Sequence, residues 1–326
     1  MPLQRRKLLL TAAVATAAAL PFSDALAQAD FPSRPIKLII SFPPGSTSDL
    51  LARRLGDHVS KSLGQAVVVE SRPGAQGVIA ARSVLNSPKD GYTLFLGTNS
   101  SHAANVYLIK DLGYDPVKDF TPITQFTTNP LPLVVNAQLP VKTVQELVKY
   151  AKERPGKLSY GTGNSGGLVA AQLLKALAGI EAVGVNYPGT AQATTDLIAG
   201  RLDFMMIDPV VIRPFVQTGQ VRVLGLTSKQ KLSSMPEVIS LADAGLPGYN
   251  YASWSGLFGP AGMPPEVTRR LSQAFTQAVT DPANEKFLAD LGMITTSSSP
   301  ESFQAFVQEQ IKLWGRLTKE AGLTPL

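Results

Sequence analysis

The stretch Tyr160-Gly-Thr-Gly-Asn-Ser-Gly-Gly167 fits three chemistries that exclude one another. Gly161, Gly163 and Gly166 match G-x-G-x-x-G, whose glycines let backbone approach a pyrophosphate, while Gly163 to Gly167 match G-x-S-x-G, which presents a nucleophilic serine on a tight strand-to-helix turn. Thr162, Gly163, Asn164, Ser165, Gly166 and Gly167 also supply what a bare anion needs: backbone N–H groups, small side chains and a helix start. A dinucleotide site requires an acid at the far end of the next strand, and Glu181 has the right count but precedes that strand. A hydrolase triad requires a histidine, and the chain has only His58, within a predicted helix, and His102; an exported serine hydrolase would have to pair Ser165 with His102. A Gly-rich turn of no function would read the same if it stood alone.

A second loop of the same kind accompanies it. Ser41-Phe-Pro-Pro-Gly-Ser-Thr-Ser-Asp49 lies between a predicted strand and helix: Pro44 stiffens the entry after Phe42, Gly45 permits close approach, and Ser46, Thr47 and Ser48 bring hydroxyls and N–H groups to the helix start. Asp49 reads as a first-turn acid favoured by the helix dipole. Two such loops suggest an anion held from two sides, each charge-assisted bond contributing about 1.5–3 kcal/mol before desolvation. Other strand-end loops add Thr98, Asn99, Ser100 and His102, then Tyr187, Gly189 and Thr190, and finally Asp208, which can orient a ligand group or cap the helix beginning at Pro209. His102 can equally bond locally at its helix entry. No His/Asp/Glu cluster has metal-ligand spacing, and no cofactor is expected.

The elements that must position these loops alternate. Strands are predicted at Ile36–Ser41, Val67–Glu70 and Thr93–Gly97 with helices at Ser48–Leu63 and Val78–Asn86 between them, a βαβαβ pattern that implies a parallel sheet. After Asn129-Pro130 a second series gives strands Leu133–Val135, Leu158–Tyr160, Val183–Val185 and Phe204–Ile207, with helices Thr143–Glu153, Leu168–Ala178 and Thr190–Ala199. Strands Val221–Leu226 and Trp254–Phe258 follow, and the pattern is helical from Pro264-Pro265 to Gly322. The expected fold class is α/β, with two doubly wound lobes and a central ligand cleft.

Residues 1–27 read as a secretory signal: Arg5-Arg6-Lys7, an apolar run Leu8–Leu20, and Ala25-Leu26-Ala27 for cleavage. The run of 13 residues falls short of the ~20 a membrane-spanning helix needs. There is no cysteine, which excludes disulfides, thiolate metal sites, cysteine nucleophiles and a lipoprotein anchor. Loss of three cations and one anion with the signal takes the net charge from +6 to +4, and the remaining basic residues are scattered, so nucleic acid is not an expected partner.

These loops in this order resemble the tripartite tricarboxylate transporter substrate-binding proteins, the Bug family of periplasmic solute receptors. The resemblance runs through Phe31-Pro-Ser-Arg-Pro-Ile36, Phe42-Pro-Pro-Gly45 with Asp49, Val68-Val-Glu-Ser-Arg-Pro-Gly74, Asp90-Gly-Tyr-Thr-Leu94, Tyr114-Asp-Pro-Val-Lys-Asp-Phe120, Ala244-Gly-Leu-Pro-Gly248, Ser253-Trp254 and Gly259-Pro-Ala-Gly262. It implies a type II periplasmic binding protein with two chain crossovers, lobe one being 30–128 plus 249–326 and lobe two 129–248. It further implies a non-enzymatic, monomeric receptor in the periplasm, not itself embedded in the membrane, that closes on a small carboxylate and delivers it to inner-membrane permease subunits. Three positions depart from the family: Ser46 replaces a second glycine, Leu168 a common histidine, and Ile207 a frequent acid, with Asp208 one step on. The apolar Leu168 and Ile207 point to a carboxylate with a hydrophobic or aromatic body.

Overall fold

A computed structural model describes residues 31–320 and 322–325; the expected signal peptide lies outside the described residues. Pro32–Leu326 forms one compact unit. Its first sheet begins as expected, with β1 (Ile36–Ile40) pairing in parallel with β2 (Val67–Ser71) on one side and β3 (Thr93–Thr98) on the other. Helices α1 (Thr47–Leu63) and α2 (Val78–Leu85) make the crossovers. A short π-helical turn, Ser100–Ala104, and α3 (Asn105–Leu108) follow β3.

The sheet is mixed rather than parallel. β4 (Phe120–Asn129) and β10 (Ser253–Pro260) pair antiparallel with each other, and β10 pairs antiparallel with β3, giving the order β11-β4-β10-β3-β1-β2, with β11 being Ile294–Thr295. The sequence pattern hides β4 because Pro122, Thr124, Gln125 and Thr127 interrupt its apolar run. The structure satisfies these groups: Thr127 Oγ1 bonds Ser255 Oγ at 2.8 Å, Thr124 Oγ1 donates to the Ser298 carbonyl at 3.0 Å, and Pro122 sits beside a register shift where a missing N–H costs little.

After β4 the chain enters a second sheet at β5 (Pro132–Asn136), runs through α4 (Val144–Glu153), β6 (Leu158–Thr162), α5 (Ser165–Ala178), β7 (Ala182–Asn186), α6 (Thr190–Ile198), β8 (Phe204–Met206), α7 (Pro209–Gln217) and β9 (Val221–Leu226), then returns to β10. The order is β7-β6-β8-β5-β9, parallel at β6 but antiparallel on both sides of β5. The C-terminal helices α8 (Pro265–Thr280), α9 (Pro282–Asp290) and α10 (Pro300–Glu320) bury Leu271, Phe275, Phe303 and Trp314. Phe303 packs edge-on to Trp254 of β10, so the last helix holds the strand that joins the two antiparallel partners.

Candidate functional site

Both Gly-rich loops are helix N-termini. Ser46 caps α1, its Oγ accepting from the Asp49 N–H at 3.3 Å, and Asn164 caps α5, its Oδ1 accepting from the Gly167 N–H at 2.8 Å. Helix α5 therefore begins three residues earlier than the apolar pattern predicts, since Ser165, Gly166 and Gly167 form its first turn. Gly45, at φ +79°, makes the turn before the first cap, and its N–H is taken by Asp49 Oδ2 at 2.9 Å while the other oxygen meets Arg53. Arg53 and Gly45 hold the Asp49 carboxyl below its ordinary range against the opposing effect of burial, which is the largest single influence. Asp49 is thus a fixed structural anion that shapes the loop.

These caps decide which donors remain. Gly45, Gly167 and Asp49 spend their N–H groups inside the loops, and Ser46 N bonds the Pro43 carbonyl at 3.2 Å. The first-turn N–H groups of Thr47, Ser48, Ser165 and Gly166 are the ones an α-helix leaves without an internal partner. The positive ends of both helix dipoles add to them.

Two adjoining cavities lie against these termini. The inner one, about 60 Å³, is walled by Thr98, Asn99, Ser100, Asn129, Gly166 and Trp254 among others; the outer one, about 340 Å³, by Pro44, Ser46, Gly163, Gly189, Thr190 and Val211 among others. Phe42, Thr47, Ser48, Asn164 and Asp208 border both, so they form the waist between the two spaces. Gly45 also lines the outer cavity. Around the inner cavity Thr98 Oγ1, Asn129 Oδ1 and Trp254 Nε1 are buried with no protein partner, and so is Tyr251 Oη, which faces Gly166. Buried polar atoms left in this way need a ligand or water.

Five predicted residues are placed elsewhere. His102 is fully buried, stacked on Phe258 at 3.7 Å between ring centroids and bonded through Nδ1 to Ser101 Oγ at 3.0 Å. Ser165 Oγ turns away to donate to Gln76 Oε1 at 3.2 Å, so the structure assembles no Ser165–His102 pair. Thr162 Oγ1 donates to Asn186 Oδ1, Tyr187 Oη donates to Asp196 Oδ2, and Gly167 is pressed against the Met206 carbonyl. Leu168 lines a separate cavity with Gln76 and Lys175, and Ile207 lies in the core under the second sheet. Neither lines the inner or the outer cavity, so the apolar ligand body expected from them rests instead on Phe42, Leu50, Val210 and Val211, the apolar residues that do line the outer one. Asn129, Ser253, Trp254, Ser255 and Met293 also line the inner cavity, and no strand-end loop of the sequence pattern points to them. Ser253-Trp254 carried a motif signal but no placement, because the long loop before β10 gives no strand-end position to assign.

Among the described residues Asp208 is the one ionisable side chain bordering the two cavities, and no Lys, Arg or His among them lines either. It occupies the cap position of α7 yet makes no cap bond, and its carboxylate instead accepts from Thr47 Oγ1 at 3.4 Å. Burial pushes its carboxyl up to about 6, with the Thr47 bond opposing slightly. The folded state therefore holds a proton between about pH 4 and 6 that the unfolded chain releases, so this group's stabilising contribution is present at low pH and is lost as pH rises through 6. Asp208→Asn should accordingly raise stability at pH 8 by about 2–3 kcal/mol and change little at pH 3.5, read by urea unfolding at the two pH values; an equal shift at both would show that charge is not the cause.

The chain matches the family described as "Tripartite tricarboxylate transporter family receptor" over residues 51–323. It is 36% identical over 294 residues to a UPF0065 protein from the tcbD-tcbE intergenic region of Pseudomonas sp. strain P51, covering 89% of this chain and 87% of that one. Among solved structures, R. palustris Rpa4515 with adipate superposes with a TM-score of 0.87 at 34% identity, over 91% of this chain and all of that one. The periplasmic binding protein BugD gives 0.84 at 27% identity with the same coverage.

Proposed function

Since the chain belongs to the tripartite tricarboxylate transporter family of receptors, which are binding proteins and not enzymes, we propose that its inner cavity takes one carboxylate group of a small ligand and its outer cavity the remainder. What carries this reading is the convergence of two helix N-termini on a cavity with unpartnered buried donors and no cation. An anion there is held by N–H groups and hydroxyls, as dipoles fixed in a small enclosed space can do without a counter-charge. Adipate in the R. palustris neighbour is a ligand of that kind. The apolar outer wall of Leu50, Val210 and Val211 supports a ligand with a partly apolar body.

In this reading residues 30–128 with 249–326 form one lobe and 129–248 the other, and closure of the two brings Thr47 against Asp208 and Gln76 against Ser165. The ligand-binding set is Phe42, Pro44, Gly45, Ser46, Thr47, Ser48, Thr98, Asn99, Ser100, Gly163, Asn164, Gly166, Gly189, Thr190 and Asp208, joined by Asn129 and Trp254. No described helix is long and apolar enough to cross a membrane, and no group of three or more His, Asp or Glu among the described residues is placed to hold a metal. The receptor acts as a periplasmic monomer released by cleavage near Ala27, and hands its ligand to membrane subunits of a tripartite carrier.

Calorimetry with a panel of mono- and dicarboxylates tests the reading: saturable one-to-one binding of at least one acid, a ligand-dependent rise in Tm, and no turnover of ester substrates are expected. Ser165→Ala should leave both binding and the absence of turnover unchanged. Ester hydrolysis abolished by that substitution would overturn the receptor assignment.

A further inference from the structure

The waist residue Asp208 sets a problem for any carboxylate that occupies these cavities. A ligand anchored at the helix termini lies beside a second acid, with no cationic side chain of the described residues along either cavity to separate them. Asp208 is not consumed structurally: its own helix makes no use of it as a cap, and its one hydrogen bond, from Thr47, is long at 3.4 Å. The acid is close enough to Tyr251 that its charge helps to raise the phenol, whose Oη is itself buried without a partner beside Gly166. Thr98 and Trp254, more than nine-tenths buried, line the inner cavity and leave Thr98 Oγ1 and Trp254 Nε1 without a protein partner; the unpartnered acceptor there, Asn129 Oδ1, is neutral, which leaves Asp208 as the charged acceptor at the cavity mouth.

This donor–acceptor arrangement selects by chemistry. A bare dicarboxylate or alkyl acid at the waist offers Asp208 no donor beyond the long Thr47 bond and sets two carboxyl groups side by side, at the cost of repulsion or of proton uptake, whereas a ligand with a hydroxyl or ammonium next to its bound carboxylate satisfies it. Sites built to hydrogen-bond a donor reject the analogue that lacks it more strongly than apolar pockets discriminate by size, because the buried acceptor is left unpaired. We propose that Asp208 is the specificity-determining residue of this receptor and that its ligand class is the carboxylates bearing an adjacent hydrogen-bond donor, hydroxy acids or amino acids. The proposal rests on the receptor reading above and narrows it.

The test compares two series of three acids by calorimetry at pH 7.5: succinate, malate and aspartate; phenylacetate, mandelate and phenylglycine. The wild-type chain should bind the hydroxy or the amino member of at least one series 10-fold or more tighter than its bare counterpart. Asp208→Asn separates the two donors, since its amide oxygen still accepts from a hydroxyl but no longer neutralises an ammonium: an amino ligand should lose 10-fold or more and a hydroxy ligand less than 3-fold. Asp208→Ala should erase the preference for either donor and bind the bare acid at least as well as the wild type does. Circular dichroism and the unfolding midpoint of both variants show whether they are folded. Bare acids that bind as tightly as their donor-bearing partners in the wild type overturn the proposal and leave the receptor reading standing. A preference that survives Asp208→Ala also overturns it, by assigning the selectivity to other groups. Silence of all six acids overturns it as well, and the wider carboxylate panel then decides the receptor reading separately.

Discussion

Gly166→Val is expected to weaken carboxylate binding by about 100-fold or more while leaving the free protein folded. A Cβ at this position comes 2.8 Å from Tyr251 Oη, 3.2 Å from Asn164 Oδ1 and 3.5 Å from Asn99 Nδ2, all side-chain atoms and none of them backbone, the two asparagines lining the inner cavity. The valine methyls would occupy the space of about 60 Å³ that the bound group needs and would screen the first-turn N–H groups of α5. Loss of one or two charge-assisted hydrogen bonds at about 1.5–3 kcal/mol each accounts for a factor of 100. Folding should change by no more than about 1–2 kcal/mol, because helix propensity gained on leaving glycine offsets part of the crowding. Gly163→Val is the informative contrast: its Cβ would collide with the Thr190 nitrogen and meet the Gly189 carbonyl carbon at 2.5 Å. Backbone cannot swing aside as a side chain does, so stability and binding should fall together there. Calorimetric affinity and unfolding free energy on both variants check this; unchanged affinity in Gly166→Val would remove the α5 terminus from the site.

The second large effect concerns acid stability and lies outside the cavities. His102 is fully buried among Phe95, Phe120 and Phe258, its Nε2 unpartnered and its Nδ1 near only a serine hydroxyl. Burial away from any carboxylate pushes the imidazole down to about 3. The folded state thus keeps His102 neutral where the unfolded chain takes up a proton, so its contribution is present above about pH 6.5 and is lost as pH falls towards 3. At pH 4.5 the difference of about two pH units amounts to roughly 3 kcal/mol. His102→Phe, or His102→Leu if the larger ring does not fit beside Gly97, should lose about 3 kcal/mol less than the wild type between pH 7.5 and 4.5. Carboxylates common to both proteins cancel in that comparison. Equal losses would mean that His102 is hydrated or paired in solution.

The two loops, their polar residues and the helices behind them were legible in sequence because caps are local chemistry. Serine or asparagine before an apolar helical run, with glycine at the tight turn, says where a helix starts whatever packs around it. The α/β class was legible for the same reason, through alternating short apolar runs and amphipathic helices. The pairing of β4 with β10 was not, since a strand rich in threonine is stabilised by Ser255 and Ser298, partners 128 and 174 residues away. Leu168 and Ile207 adjoin the right loops in sequence, yet α5 carries the first to a separate cavity and the second packs into the core after β8.

The sequence by itself determined most of the elements, the two capped helix starts, the lack of any cysteine chemistry, and the family, all of which depend on composition, on residues near one another in the chain or on a recurring order of motifs. Only the tertiary structure decided that His102 belongs to an aromatic core, that Ser165 answers to Gln76, that Trp254 and Asn129 help to line the inner cavity, and that Asp208 is the one ionisable group of the described residues at its waist. The reason is that accessibility and pairing are set by segments far apart in sequence. Whether a polar group is spent within its own turn or left over for a ligand depends on what the rest of the fold brings beside it.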